Sequence, residues 1–538
     1  MKRAFFLFFI SFACYAVQAQ DTFMYRLQLK DKGSPSFSVN EPEKFLSEKS
    51  IERRNRQGFK IDHLDLPIDP AYFEAITETG ASIRTYSKWV NTIVVDISNL
   101  DILPSLQKLP FVDSLYCVWK GSMPKVDKAG DPDENIFNKR KLRNNINSYG
   151  SAFTQISLNN GHLLHDAGYR GSGMSIAIMD GGFINADILD YFEKEKIVEV
   201  KSFNHEVTDP LRSGSDHGTK VLSCMLANKT GEMIGTAPQS EYYLFRTEVS
   251  ENEFPVEEDY WIAALEYADS IGVDIISTSL GYNSFDDSEM NHSLSQLDGK
   301  SVPMSKAAGL AASRGMLLFL SAGNEGAKDW AKIMIPADAD NVITVGSVMN
   351  DSARSYFSSQ GPTADNRVKP DAMSMGTQTT LIASDGRIVL ANGTSYATPV
   401  LAGLGACLWE ALPDLTSYEM IELIRKSGNK FLNPDPLMGY GITDIYKAYV
   451  NGGEALDISK PDNNIYISFN PRENQLYINI AALAFTHSQL NIYSGIGTQV
   501  LSVSNLSNSI DISLLPKGVY IARLQLDDKP IVRKFIKM

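Results

Sequence analysis

The sequence predicts an α/β fold: a mostly parallel sheet with helices on both faces, preceded by a small α+β unit and followed by a C-terminal β-sandwich. Three observations carry this expectation. Between about 150 and 455, short apolar runs alternate with helical stretches: "SIAIM" 175–179, "YYLF" 242–245, "VDIIST" 273–278, "MLLFLS" 316–321 and "NVITVGSV" 341–348. Nearly continuous apolar strands separated by helices imply a parallel sheet covered on both sides. On either side of this region the chain turns to strands in which apolar residues alternate with others, and polar stretches rich in Pro, Gly and Asn separate the three parts.

At 538 residues the chain is long enough for two to four domains of ~150 residues each. Hydrophobic content of 43% with 21% charged residues is ordinary globular usage. A net charge of −14 argues against nucleic acid or an anionic membrane as partner. Residues 1–19 read as a signal peptide: Lys2 and Arg3, an apolar stretch, then Val17-Gln18-Ala19 as the cleavage signal, with the mature chain starting near Gln20. The apolar stretch is shorter than the ~20 residues that span a bilayer, and Cys14 lacks the Leu three positions earlier that a lipid-acylation site carries. Beyond it, Cys117, Cys224 and Cys407 are too few for a disulfide framework. Cys224 and Cys407 sit in apolar helical patterns, as inert core thiols do.

Residues 20–120 form the first unit. "TFMYRLQLK" at 22–30 alternates Phe23, Tyr25, Leu27 and Leu29 as a strand, a charged helix follows over 42–57, and strands are expected at 91–98 and 111–119. Arg53, Arg54 and Arg56 read as a solvated helix face. Residues 121–150 read as a linker. The α/β domain takes 151–455, and its stretch 256–272 places Trp261, Ala264, Leu265 and Ala268 on one helical face. A second linker covers 456–462. Residues 463–538, with "NIYISFN", "LYINI", "LNIYS" and "GVYIARLQL", form the sandwich.

Active sites of parallel sheets lie at the carboxyl ends of strands. Asp180 follows "SIAIM", and Asn324 in "SAGNEG" follows "MLLFLS". His217 opens a helix in "SDHGTKVLSCMLA", and Ser395 sits in "ANGTSYATP", 391–399, ahead of a long apolar run. Taken singly, each has a structural explanation: Asp180 and Asn324 suit turns, while His217 and Ser395 suit helix starts. Taken together, "IMDGGF", "HGTKVLS", "SAGNEG" and "NGTSYATP" resemble the signatures of the subtilisin-like serine proteases, whose triad runs Asp, His, Ser along the chain. The resemblance extends to "STSLGY" 277–282 and "FSSQGPTADNRVKPD" 357–371, and covers about 150–455. Gly181-Gly182 departs from the family, where Ser or Thr more often stands before the Gly.

The resemblance implies a secreted serine endopeptidase. Ser395 would be the nucleophile, His217 the general base and acid, Asp180 the group that orients the imidazole, and Asn324 with the Ser395 N–H the oxyanion donors. Ser279, Leu280, Gly281, Ala322 and Gly323 would line the substrate cleft, giving an apolar or aromatic preference before the scissile bond. No cofactor is implied; calcium sites in the family are loop-borne, and no Asp-rich loop with clean ligand spacing stands out. "KWVNTIVVDI" at 88–97 makes the first unit similar to the inhibitory propeptides of these enzymes. "SFNPRENQLYINI" 468–480 and the final "LPKGVYIARLQLDDKPIVRKFIKM" resemble the C-terminal sorting domains of type IX secretion cargo. The expected partners are polypeptide substrates and the type IX secretion machinery. An inactive subtilisin-like adhesin or binding module is the alternative, and retention of all four functional positions speaks against it.

Overall fold

The structure is a computed structural model that describes residues 22–121, 148–204, 209–249, 252–457, 465–470, 475–480, 488–495, 497–504, 509–526 and 529–537. The expected signal peptide and Cys14, residues 122–147 of the first expected linker and 458–462 of the second lie outside the described residues.

The first unit is a four-stranded antiparallel sheet with three helices in its connections, the last of them Leu103–Gln107. Strands β1 (Phe23–Leu29), β2 (Ser82–Ser87), β3 (Thr92–Ile97) and β4 (Val112–Lys120) lie in the order β2-β3-β1-β4, and helices α1 (Glu48–Gln57) and α2 (Pro70–Thr77) join β1 to β2. The helix expected over 42–57 is divided: Pro42–Lys44 form a 3-10 turn, and α1 starts afresh at Ser47, whose side chain accepts the Ser50 N–H. Leu27, Ile76, Ile93, Val95 and Leu106 form the core of this unit.

The central domain is built on seven strands: β5 (Ser175–Asp180), β6 (Ile197–Ser202), β7 (Glu241–Arg246), β8 (Ile275–Thr278), β9 (Leu317–Ser321), β10 (Ile343–Val348) and β11 (Ala372–Met375). They form one sheet in the order β11-β10-β9-β8-β5-β7-β6, with every neighbouring pair parallel. Strands β5, β8, β9, β10 and β11 are buried at every residue, which is why β5, β8, β9 and β10 read as apolar runs, whereas the four-residue β11, "AMSM", is not among the strands expected from sequence. Helices α3 (His217–Leu226), α4 (Val256–Ile271) and α5 (Thr394–Ala411) pack on the sheet. Trp261, Ala264, Leu265 and Ala268 of α4 all point into one core cluster. Helix α5 is buried almost all round, from Thr394 to Trp409, as its long apolar run requires.

The first unit docks on the outer face of α4 through buried charge. Arg26 Nε and Nη2 donate to the two carboxylate oxygens of Asp259, each at 2.7 Å. Glu266 accepts the N–H groups of Lys88 (3.1 Å) and Trp89 (2.9 Å) and the Ser87 hydroxyl, tying down the turn between β2 and β3. Trp89 then inserts into the central core beside Trp261 and Leu265. The expected solvated arginine face is corrected here: only Arg56 is exposed. Arg53 and Arg54 are 3% and 0% exposed, and both pair with Asp269, while Arg54 also reaches Asp65 at 2.9 Å. Their partner Asp269 lies more than 200 positions along the chain, so local periodicity does not reveal it.

The tail is a sandwich of two sheets, as expected. Strands β12 (Ile465–Asn470), β13 (Gln475–Ile480) and β16 (Ser509–Asp511) form one, and β14 (Ser488–Ser494), β15 (Gln499–Val503), β17 (Gly518–Leu526) and β18 (Lys529–Lys537) form the other. Leu476 and Ile510 from the first meet Leu490, Ile492, Ala522 and Leu524 from the second in a core of their own. Ahead of it a helix covers Ile445–Asp457, running through Gly452-Gly453 and into the first two residues of the expected linker.

The arginine pair gives a direct test. Removing one partner of a buried ion pair costs about 3–5 kcal/mol because the other charge is left uncompensated, whereas a solvated surface substitution stays within about 0.5 kcal/mol. Arg54→Ala is therefore expected to shift the urea unfolding transition of the full chain by several times more than Arg56→Ala. Equal small shifts would restore the solvated-face reading.

Candidate active site

Asp180 is the last residue of β5 and is fully buried. Its carboxylate accepts the Gly181 N–H at 2.8 Å and faces His217 Nδ1 at 2.9 and 3.0 Å through its two oxygens. A carboxylate oxygen accepts, so this contact assigns the imidazole proton to Nδ1, and Nε2 is the ring nitrogen left for base chemistry. The close approach of the two segments depends on glycine. A β-carbon at Gly218 would lie 2.4 Å from the Gly182 carbonyl oxygen and 2.7 Å from the Phe183 ring, so only a bare Cα lets the first turn of α3 rest against the loop after β5. Ser215 Oγ accepts the His217 N–H at 3.0 Å and fixes the start of α3.

At Gly181, where the sequence departs from the family pattern, a β-carbon would meet Glu248 Oε2 at 2.6 Å, so the far end of that flexible side chain now takes this space.

Ser395 is the second residue of α5 and is nearly buried, at 5% exposed. Its Oγ donates to Ser279 O at 3.2 Å, and Ser279 Oγ donates to Ser395 O at 2.7 Å. Pro399 explains the second bond. It has no N–H, so the Ser395 carbonyl four residues earlier lacks its helical donor, and Ser279 supplies one. The His217 ring lies 5.6 Å from the ring of the adjacent Tyr396, centroid to centroid.

Asn324 follows β9 by three residues. Its side-chain oxygen accepts both the Thr394 N–H (2.9 Å) and the Thr394 hydroxyl (3.0 Å), while Thr394 Oγ1 accepts the Gly323 N–H (3.2 Å). With Oδ1 engaged on α5, the amide is locked and its NH2 is turned to the opposite side. Thr394 is the residue that sequence reasoning missed; its place directly before Ser395 is the signal available. Ser279, Leu280 and Gly281 leave the carboxyl end of β8, and Ala322 and Gly323 leave that of β9, its parallel neighbour, so both segments emerge at the same edge of the sheet. Of these five, all but the half-buried Gly281 are buried.

Cys224 and Cys407 are buried free thiols, as expected, and burial pushes both well above the usual range. Among the described residues, no group of three or more His, Cys, Asp or Glu comes together as a metal site, and no helix is long and apolar enough to cross a membrane.

Comparison with known proteins identifies the family of each part of the chain. The subtilase family profile matches residues 171–441, the propeptide domain of S8 peptidases from Bacteroidota matches 24–132, and the secretion system C-terminal sorting domain matches 469–538. Subtilisin of Bacillus pumilus is 27% identical over 287 residues, covering 53% of this chain and 94% of that protein. Serine protease AprX of Bacillus subtilis strain 168 is 25% identical over 295 residues, 49% of this chain and 63% of its own length. The crystal structure of MycP1 with its N-terminal propeptide removed is 18% identical, with a TM-score of 0.45 over 55% of this chain and 96% of that one. The sorting domain marks the product for export to the cell surface or the medium. With a propeptide before it and a sorting tail behind it, the parallel-sheet domain that carries Asp180, His217, Asn324 and Ser395 belongs to the subtilase family of serine peptidases.

Proposed function

We propose that the chain is a secreted serine endopeptidase, made as a zymogen, that cleaves polypeptides through Asp180, His217 and Ser395. The observation that carries this reading is the Asp180–His217 contact, which engages Nδ1, with the His217 ring lying 5.6 Å from that of Tyr396, the residue after Ser395. A serine hydroxyl is a weak nucleophile until a base removes its proton. His217 takes the Ser395 proton as Oγ attacks the scissile carbonyl carbon, then delivers it to the departing amine, leaving an acyl group on Ser395. Water repeats the sequence: His217 takes its proton, the hydroxyl attacks the acyl carbon, and the proton returns to Ser395 Oγ as the acid leaves. Asp180 keeps the imidazole in one tautomer and stabilises the imidazolium formed in each half. Negative charge on the substrate oxygen is met by the Asn324 amide, held in advance by Thr394, and by the Ser395 N–H at the start of α5.

The N-terminal unit acts as the propeptide of this enzyme, and residues 463–538 as an address read by the type IX secretion machinery. The sandwich has a core of its own, and none of the proposed catalytic groups lies in it.

A fluorophosphonate probe should label the secreted protein at Ser395, and Ser395→Ala should abolish labelling, peptidase activity and self-processing. Asn324→Ala should lower kcat by about 10²–10³ with less change in KM, a magnitude that comes from subtilisin, a relative of this chain. Full activity in purified Ser395→Ala would refute the mechanism.

Deleting 463–538 should leave a folded, probe-reactive protease that accumulates in the periplasm, measured by cell fractionation with an activity assay. Normal export of the truncated chain would sink the sorting role, and export with lost activity would make the tail part of the enzyme.

A further inference from the structure

The His217 imidazole is held loosely by the carboxylate it faces. Nδ1 lies 2.9 Å from one Asp180 oxygen and 3.0 Å from the other, so either oxygen can take the proton and the ring can swing between them without losing the bond. Each swing carries Nε2, on the far side of the ring, in a different direction. The nucleophile does not steady the ring either: a hydroxyl has one proton to give, and that of Ser395 goes to Ser279 O at 3.2 Å. The His217 side chain is 15% exposed, so part of it has no packing at all.

Tyr396 meets the imidazole from the protein side. The two ring centroids lie 5.6 Å apart with the planes inclined at 40°, the spacing of an aromatic pair in contact. Tyr396 is the third residue of α5 and directly follows Ser395. Successive helical residues project about 100° apart, so Ser395 can face the cleft while Tyr396 turns toward the start of α3. The tyrosine is fully buried, and its Cδ2 and Cε2 each lie 3.6 Å from the place a β-carbon on Gly393 would take, so the ring also packs on the turn before the nucleophile. Close packing leaves such a ring little freedom to move.

We propose that Tyr396 is a positioning residue whose ring fixes the tilt of the His217 imidazole, so that Nε2 is presented to the Ser395 hydroxyl each time a proton is taken or returned. The inference rests on the serine-peptidase reading above. No bond forms or breaks at Tyr396; it acts only through His217. Because it follows the nucleophile on the same buried helix, one rigid element then places both the hydroxyl and the base that serves it. An aromatic that merely filled volume would be replaceable by any side chain of similar bulk, whereas positioning requires the flat ring.

The test follows from that difference. Tyr396→Phe keeps the ring, and Tyr396→Leu fills much of its volume without a flat face. Each secreted protein is compared with wild type for the rate of fluorophosphonate labelling at Ser395 and, per labelled site, for kcat and KM on one peptide, with a urea unfolding curve alongside. Tyr396→Leu is expected to lower kcat and the labelling rate together by up to about 10²-fold, the cost of misplacing a reacting group by about 1 Å, while KM stays near the wild-type value. Tyr396→Phe is expected to keep both rates close to wild type. Should Tyr396→Leu fail to fold, Tyr396→Met, whose unbranched chain adapts to irregular space, takes its place with the same expected loss. Wild-type rates in the folded Leu or Met variant overturn the proposal, as does a Tyr396→Phe that falls as far, or a change confined to KM. Wild type that takes no label at Ser395 overturns the serine-peptidase reading itself, and this inference with it.

Discussion

Burial of the central parallel strands on both faces constrains everything else in this protein. Strands β5, β8 and β9 have no wet side, so a charged group is tolerated only where a strand stops and other segments can supply partners. Asp180 occupies such a point and is still fully buried, which makes its partners obligatory. The Gly181 N–H and the His217 imidazole meet that need, and the pairing fixes where α3 must begin. The ends of β8 and β9 open on the same edge of the sheet, so the segments bearing Ser279 and Asn324 arrive there without any long-range device. Helix α5, apolar all round and sunk in the core, brings Ser395 to that edge from the other direction.

The same economy of buried charge governs the contact between the propeptide and the enzyme domain. Helix α4 buries Trp261 and Leu265 on one side and offers Asp259, Glu266 and Asp269 on the other. In the docked state each acid is matched by arginines or N–H groups of the first unit, with Arg314 of the enzyme domain joining Asp65 and Asp62 at the border. Buried pairs of this kind add little net stability over apolar contacts, yet they are costly to break singly. They differ from an apolar interface in one respect: when the first unit leaves, hydration of the charged groups offsets part of the lost pairing, whereas exposed apolar surface gains nothing from water. An interface that must part after maturation is better built from such groups than from a continuous greasy face, with Trp89 as the apolar anchor that specifies the fit.

What the sequence discloses and what it hides follow from the range of the interactions. The parallel sheet is legible because each buried strand is a run in its own right, and Asp180, His217, Asn324 and Ser395 are legible because each sits in its own short pattern. Strand β6 is not, because it lies at the sheet edge half exposed and its "IVEVKS" mixes charge with apolar residues. Arg53 and Arg54 look like solvated charge because Asp269 lies far along the chain, and no periodicity in α1 announces a salt bridge to α4. Thr394 passes as an ordinary helix-start residue, since its role is to hold the Asn324 amide 70 positions away.

Where this chain departs from its family pattern, at Gly181, the space is taken by a neighbour from another segment: a β-carbon there would meet the Glu248 carboxylate at 2.6 Å. The hydrogen bonds around Asp180, Asn324 and Ser395 are made elsewhere, to the Gly181 N–H, to Thr394 and to the Ser279 carbonyl. The positions of these side chains are therefore set by the ends of buried strands and the start of α5, where a buried polar group must keep its partner, and not by the volume of the side chains around them.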